Sequence, residues 1–166
     1  MIVLGIDPGL ANTGWGVVET HGASFRCLAY GCVTTPAASP LCARLAAIHD
    51  EIVEVIDRYH PTECAVESVY FGVNVKSAFA TGQARGAALL ATARADLALG
   101  EYAPTEIKLA VVGTGTADKG QVQFMVKERL GLHIQPHPDH AADALAAGIC
   151  HADRCRTRAA LERVSR

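Results

Sequence analysis

Short apolar runs separated by turn residues open the chain and predict three strands. The first run covers residues 2–6 and ends in an Asp-Pro-Gly turn at residues 7–9. Two further strands are predicted over residues 14–19 and 24–34, with a His-Gly hairpin turn at residues 21–22. The beginning of the chain is therefore expected to supply neighbouring strands of one sheet.

From residue 41 onward, apolar positions recur at helical spacing. The stretch 41–59 has apolar residues on one side and acidic residues between them, which predicts an amphipathic helix that ends at Pro61. Two strands then alternate with helices: strands at 63–67 and 100–103, helices at 75–97, about 107–111, 118–130 and 139–154. This order indicates an α/β fold with one mixed five-stranded sheet and helices on its faces. A single domain is expected over residues 1–155, followed by an Arg-bearing, poorly ordered tail at 156–166.

Composition excludes intrinsic disorder and a membrane span. Of the 166 residues, 50 % are hydrophobic and 19 % are charged, and no apolar run approaches the length of a span. The first residues lack the basic segment of a signal peptide, which predicts a soluble, cytoplasmic protein. The net charge of −2 argues mildly against a nucleic-acid binder. However, only 3 of the 15 Lys and Arg residues precede Glu63, so a cationic surface is expected from the later part.

The six cysteines contain no C-x-x-C pair and are interpreted as reduced thiols of a cytosolic protein. Cys150, His151 and Cys155 raise the question of a zinc site. No second ligand pair lies at the spacing of a structural zinc site, so the sequence gives no support for one.

Two acidic residues stand where buried strands end. Asp7 follows the first strand, and Glu67 ends the apolar run 64–66. A carboxylate in such a place is unfavourable unless it is paired or binds a metal ion. Alternatively, Asp7 caps the turn that follows it, and Glu67 is a charged residue at the rim of the sheet without a ligand role. Neighbouring strands would bring both acids to one point, which favours a shared site.

His140 and Asp143 lie three residues apart near the start of the last helix, on one face and among alanines. The alternative is a helix cap followed by an acid in the first turn. Together with Asp7 and Glu67, they form a set that suits a hard divalent cation, Mg²⁺ or Mn²⁺. Two such ions about 3.5–4 Å apart would serve phosphodiester hydrolysis.

Several short motifs, in order along nearly the whole chain, resemble those of the RuvC family of Holliday junction endonucleases. They are GIDPG at 5–9, ESVY at 67–70, GQARG at 82–86, VVG at 111–113, ADK at 117–119 and AADALA at 141–146. Each motif alone is weak, but the ordered set is specific.

The resemblance implies a ribonuclease H-like fold and a homodimer that makes paired nicks in four-way DNA junctions with Mg²⁺ or Mn²⁺. Asp7, Glu67 and Asp143 match three metal-binding acids of the family. His140 stands at the fourth position, where some members have Asp and others His. The family also suggests cooperation with a RuvA–RuvB branch-migration motor.

Five further residues are candidate DNA contacts. Lys119, in the first turn of a helix, suits a phosphate and matches a family lysine associated with DNA contact and catalysis. Lys108 matches another such lysine, with a solvated side chain as the alternative. Tyr70 and Phe71 follow Glu67 and would stack on an unpaired base, unless one of them closes the core. Arg85 either reaches phosphate or is solvated.

Three other functions compete with junction cleavage. An actin-like ATPase or sugar kinase needs a second, duplicated domain, which 166 residues cannot supply. A ribonuclease H-type enzyme acting on RNA/DNA hybrids would use the same acids. An inactive junction-binding module is disfavoured because the acids are retained.

Overall fold

The computed structural model describes residues 1–68 and 75–164. The strands are β1 (Ile2–Asp7), β2 (Asn12–His21), β3 (Ser24–Thr34), β4 (Glu63–Glu67) and β5 (Ala98–Tyr102). The helices are α1 (Leu41–Tyr59), α2 (Val75–Arg94), α3 (Pro104–Val112), α4 (Lys119–Leu130) and α5 (Asp139–Val164). None of the helices within these two ranges combines enough length with enough apolar character to cross a lipid bilayer.

The five strands form one mixed sheet in the order β3-β2-β1-β4-β5, which confirms the predicted sheet. The strand pairs β3-β2 and β2-β1 are antiparallel, whereas the pairs β1-β4 and β4-β5 are parallel. In the register of β1 and β4, Ile6 lies beside Val66. The acids that end these strands, Asp7 and Glu67, therefore reach the same edge of the sheet.

Helices cover both faces of the sheet, because inner strands alternate their side chains between the two faces. Leu4 and Ile6 of β1 belong to the core beneath α1 and α2, and Val3 belongs to the core beneath α3, α4 and α5. Leu4, Ile6 and Val3 are fully buried. Helix α5 runs along β1 and β2 on the second face and carries His140 and Asp143 at its start.

The approach of α5 to the sheet is set by two glycines. A Cβ atom at Gly14 of β2 would overlap the carbonyl oxygen of His140, and one at Gly5 of β1 would overlap that of Ala144. Side chains at these positions would therefore push the helix away. With glycine in the strands and alanine in the helix, backbone packs against backbone, and the beginning of α5 is held over the ends of β1 and β2.

The end of α5 differs from the sequence-based prediction. The helix was expected to end near Arg154, but it continues to Val164. Two of its arginines make ion pairs: Nη2 of Arg154 lies 2.7 Å from Oε1 of Glu106 in α3, and Nη2 of Arg156 lies 2.7 Å from Oδ1 of Asp153, three residues earlier. The pair with Glu106 joins a distant segment, whereas the pair with Asp153 is local to the helix.

We predict that Gly14→Ala destabilises the protein by about 1–3 kcal/mol, because the added methyl group meets backbone that cannot rotate away. Thermal unfolding measures the loss. Gly115→Ala is the matched control, since its added Cβ would make only ordinary contacts, at 3.5 Å or more. Equal melting temperatures for the two variants would contradict the steric argument.

Candidate active site

Three candidate ligands converge where β1 ends and α5 begins. Asp7, His140 and Asp143 each offer a ligand atom, and these atoms lie within 4.8 Å of one another. Asp7 is supplied by the sheet, while His140 and Asp143 lie on one face of the first turns of α5. The structure thus brings together three of the four candidate metal ligands, although Asp7 and His140 are 133 positions apart in sequence.

Asp7 and His140 are directly hydrogen-bonded. The Nδ1–H of His140 donates to Oδ2 of Asp7 over 2.7 Å. This hydrogen bond, against partial burial, raises the pKa of His140 above its ordinary 6.5. The turn after β1 is closed by a different residue, because the buried hydroxyl of Thr13 donates to the carbonyl oxygen of Gly9. The partner of the Asp7 carboxylate is therefore His140, and not the turn that Asp7 was alternatively expected to cap.

Glu67 lies at the same edge of the sheet but outside the group of three. It lines a small pocket of about 70 Å³ together with Asp143 and Lys108. Burial, and then the charges of Asp7 and Asp143, raise the pKa of Glu67 to about 7, against the opposing charge of Lys108. The ionised carboxylate is thus held in an unfavourable place, close to two other acids.

Asp143 is shared between this acidic group and a lysine. Burial and the Asp7 charge raise its pKa, although Lys119 opposes the shift. The Nζ of Lys119 lies 3.4 Å from Oδ2 of Asp143 and 3.1 Å from Oδ2 of Asp139. These two acids explain why a lysine is acceptable at the N-terminus of α4, where the helix dipole alone disfavours a cation. Asp139 as a partner of Lys119 was missed by the sequence analysis.

The remaining candidates occupy different surroundings. Lys108 lines the Glu67 pocket from α3. Arg85 of α2 is ion-paired with Glu101 of β5 over 2.6 Å, so its alternative of being simply solvated is wrong. Its Nε atom is buried and has no hydrogen-bond partner among the residues that the structure describes. Tyr70 and Phe71 lie outside the described residues.

The sequence profile of the family described as "Crossover junction endodeoxyribonuclease RuvC" matches residues 3–151. The chain belongs to the RuvC family. Crossover junction endodeoxyribonucleases RuvC of Treponema pallidum (strain Nichols) and Moorella thermoacetica are both 51 % identical to it. The first alignment covers 93 % of this chain and 79 % of the relative, and the second covers 92 % and 91 %.

A solved RuvC structure has the same fold. Thermus thermophilus RuvC in complex with a Holliday junction substrate aligns with a TM-score of 0.91 and 39 % identity, over 95 % of this chain and 96 % of that chain. The predicted family and the predicted ribonuclease H-like architecture are both confirmed.

The site of this RuvC-family chain suits a divalent cation. Asp7, Glu67 and Asp143 supply carboxylate oxygens and His140 supplies an imidazole, a set of mainly hard ligands. Burial first, and then the charges of neighbouring acids, raise the pKa values of Glu67 and Asp143. A cation bound among these carboxylates would oppose both effects, as the charge of Lys119 already does at Asp143.

We predict that Glu67→Gln stabilises the metal-free protein at about pH 8 more than at about pH 5. The folded-state pKa, about 7, lies above the ordinary 4.5, so protonation favours the folded state, and this stabilisation is lost as the pH rises through about 7. Glutamine removes the repulsion felt by the ionised carboxylate at the higher pH. Calorimetry with a chelator present measures both melting temperatures.

The matched control is Glu54→Gln, an exposed glutamate of α1, which should change the melting temperature equally at the two pH values. A larger stabilisation by Glu67→Gln at the lower pH would contradict the proposed repulsion.

We also predict that Mn²⁺ binding weakens as the pH falls through the raised pKa of His140. Below that pKa the ring carries a proton and a positive charge, and both oppose a cation. His140→Asp should lower the slope of log affinity against pH by up to about one proton, and should shift preference towards Mg²⁺. Calorimetric titration across the pH range measures the slope. If the slope in His140→Asp equals that of the wild type and of the exposed control His133→Asp, His140 is not a ligand of the cation.

Proposed function

We propose that this chain resolves four-way DNA junctions by paired, metal-dependent hydrolysis of phosphodiester bonds in recombination and repair. The observation that carries the proposal is the convergence of Asp7, Asp143 and His140, with Glu67 at the same edge, in a chain of the RuvC family. The Thermus thermophilus relative, solved with a Holliday junction substrate, supports the substrate class. We place the activity in the cytoplasm, because the substrate is DNA.

We propose Mg²⁺ or Mn²⁺ as the cofactor, with two ions per active site held by Asp7, Glu67, His140 and Asp143. When bound, such ions polarise a phosphoryl oxygen and lower the pKa of a water molecule. The protein's own contribution is to fix the carboxylates on a strand end and a helix start that are packed backbone to backbone. This rigidity keeps the ligand oxygens in place without the scissile phosphate.

Two lysines are proposed to meet the DNA backbone. Lys119 reaches the site from α4 and is about half exposed, so a phosphate can compete for it with Asp139 and Asp143. We propose a catalytic role for Lys119, because it stands directly beside a metal-binding acid. Lys108 approaches Glu67 from α3 and is proposed to contact the same strand. The DNA contacts of Tyr70, Phe71 and Arg85 remain predictions.

We predict that Asp7→Asn lowers junction cleavage by at least about a hundredfold while junction binding stays close to that of the wild type. The substitution removes a ligand charge and leaves the lysines unchanged. Cleavage of a synthetic four-way junction, and gel-shift affinity in Ca²⁺, measure the two effects. Asp57→Asn on the exposed side of α1 is the matched control.

Strong cleavage by Asp7→Asn would remove Asp7 from the site. The same assay tests the alternatives on an RNA/DNA hybrid. A wild-type protein that cuts the hybrid in preference to the junction would favour the ribonuclease H-type function. A protein that binds the junction but cuts neither substrate would favour the inactive binding module.

We propose that the protein acts as a homodimer through α2, which matches the two-fold symmetry of a four-way junction. Helix α2 buries Ala84, Ala88 and Ala91 against its own chain. Its opposite side exposes apolar and small residues at helical spacing: Val75, Phe79, Gly82, Gly86, Leu90 and Ala93. No atom of residues 1–68 and 75–164, outside α2's own adjacent turns, lies within 4 Å of a Cβ built at Gly82 or Gly86, so a second helix has room beside this part of the chain.

Leu90→Glu is predicted to shift the protein to monomers at micromolar concentration, because it places a charge in the middle of the proposed interface. Phe124→Glu on α4 is the control, since Phe124 is 56 % exposed and Leu90 is 54 % exposed. Sedimentation velocity measures both. A wild-type protein that is monomeric and still makes paired nicks would contradict the homodimer. Cooperation with a RuvA–RuvB motor remains a prediction of the family.

A further inference from the structure

A second group of metal-ligand side chains lies at the opposite end of β4 from Glu67. Glu63 begins this strand, and His151 and Cys155 stand one turn apart on α5. Their ligand atoms lie within 4.8 Å of one another. Glu63 is 88 positions from His151 in sequence, so the fold alone brings this set together.

The three side chains converge on one atom. Oε2 of Glu63 lies 3.3 Å from Nε2 of His151, and Sγ of Cys155 lies 3.4 Å from the same nitrogen. In tetrahedral zinc sites, the usual bond lengths place N and O about 3.3–3.4 Å apart and N and S about 3.6 Å apart. The O–N and S–N separations in the structure are therefore already close to those between two corners of such a tetrahedron.

The other ring nitrogen of His151 has its own partner. Nδ1 lies 2.8 Å from the hydroxyl oxygen of Tyr102, and the ring is nearly completely buried. Metal-bound histidines typically donate their second N–H to such an acceptor, which fixes the tautomer and the ring orientation. In the structure the Glu63 carboxylate can only accept, so Nε2–H donates to Glu63 and the Tyr102 hydroxyl donates to Nδ1. A cation at Nε2 would replace that proton, and Nδ1–H would then donate to Tyr102.

This arrangement does not suit a nucleophilic triad. In a triad, the thiol and the acid occupy opposite nitrogens of the imidazole. In this group they share Nε2, and a tyrosine holds Nδ1. Convergence of one sulfur, one nitrogen and one oxygen on a common point is the pattern of a cation site.

We propose that Glu63, His151 and Cys155 bind a Zn²⁺ ion, with water in the fourth position. A thiolate and a carboxylate neutralise the two charges of the ion, and the sulfur selects zinc over Mg²⁺ and Mn²⁺. The group borders a cleft of about 520 Å³, which gives water access. Burial and the Glu63 charge raise the pKa of the Cys155 thiol; Arg158, which donates to Sγ over 3.8 Å, opposes that shift, as a bound cation would.

The ion would act as a cross-link between the sheet and the outer half of α5. Glu63 belongs to the start of β4, whereas His151 and Cys155 belong to α5. A shared ion would tie these two elements together at the end of the sheet away from the active site. Zinc should therefore raise the melting temperature independently of nuclease activity.

Cobalt spectroscopy tests the site, because a thiolate ligand gives Co²⁺ a charge-transfer band that oxygen and nitrogen ligands do not give. The full-length protein, reduced with a non-chelating phosphine, is titrated with Co²⁺ and then with Zn²⁺. We expect the thiolate band to saturate at one equivalent and to disappear as Zn²⁺ displaces Co²⁺. Zn²⁺ should also raise the melting temperature of the wild type.

Cys155→Ser should lose the band and the part of the zinc-dependent stabilisation that this site contributes, while any stabilisation through the Asp7 site stays. Cys32→Ser is the matched control, since Cys32 pairs in the sheet with Gly14, which in turn pairs with Asp7, so it tests a thiol on the first site's side of the sheet. It should keep the band. Tyr102→Phe should keep the band with affinity weakened roughly 10–100-fold, because the ring loses its orienting partner.

Absence of a thiolate band in the folded wild type would overturn the proposal. So would a band that persists in Cys155→Ser, or one that is lost in Cys32→Ser. Circular dichroism verifies that each variant is folded, and Glu63→Gln, on the strand side of the site, gives an independent test through weaker zinc binding.

Discussion

Contact of backbone with backbone between α5 and the two strands beneath it is the constraint on which the active site depends. At Gly5 and Gly14 the strands carry no side chain, and the facing helix has the small residues Ala141 and Ala144. This closeness carries His140 and Asp143 to the end of β1, within ligand distance of Asp7. A larger residue at any of these contacts would move the helix and its two ligands together.

The same closeness makes the site electrostatically unfavourable on its own. Burial and mutual repulsion raise the pKa values of Glu67 and Asp143, while a hydrogen bond to Asp7 raises that of His140. The charges of Lys108 and Lys119 oppose these shifts at Glu67 and Asp143, respectively. Cation binding would relieve the repulsion between the carboxylates, and the free energy of binding would stabilise the folded protein.

Periodicity and turn residues were sufficient to predict the sheet, its flanking helices and the four candidate ligands, because each signal is local. Partners that come from distant segments were not predictable in this way. Asp139 pairs with Lys119 and Arg85 pairs with Glu101, and neither pairing follows from the local pattern. The pair of Arg154 with Glu106 of α3, near the expected end of α5, is of the same kind.

The zinc site proposed at His151 and Cys155, without Cys150, illustrates the limit. Spacing rules found no second ligand pair near His151 and Cys155, but Glu63 reaches them across the sheet. Spacing rules detect ligands that lie on one helix or strand, but they do not detect a ligand that the fold brings from another strand.

Anomalous diffraction from crystals grown with Mn²⁺ tests most directly the claim that the fold assembles a cation site at this edge. We expect two anomalous peaks, about 3.5–4 Å apart, in contact with oxygens of Asp7, Glu67 and Asp143. A well-diffracting crystal at saturating Mn²⁺ with no peak among these carboxylates would contradict it.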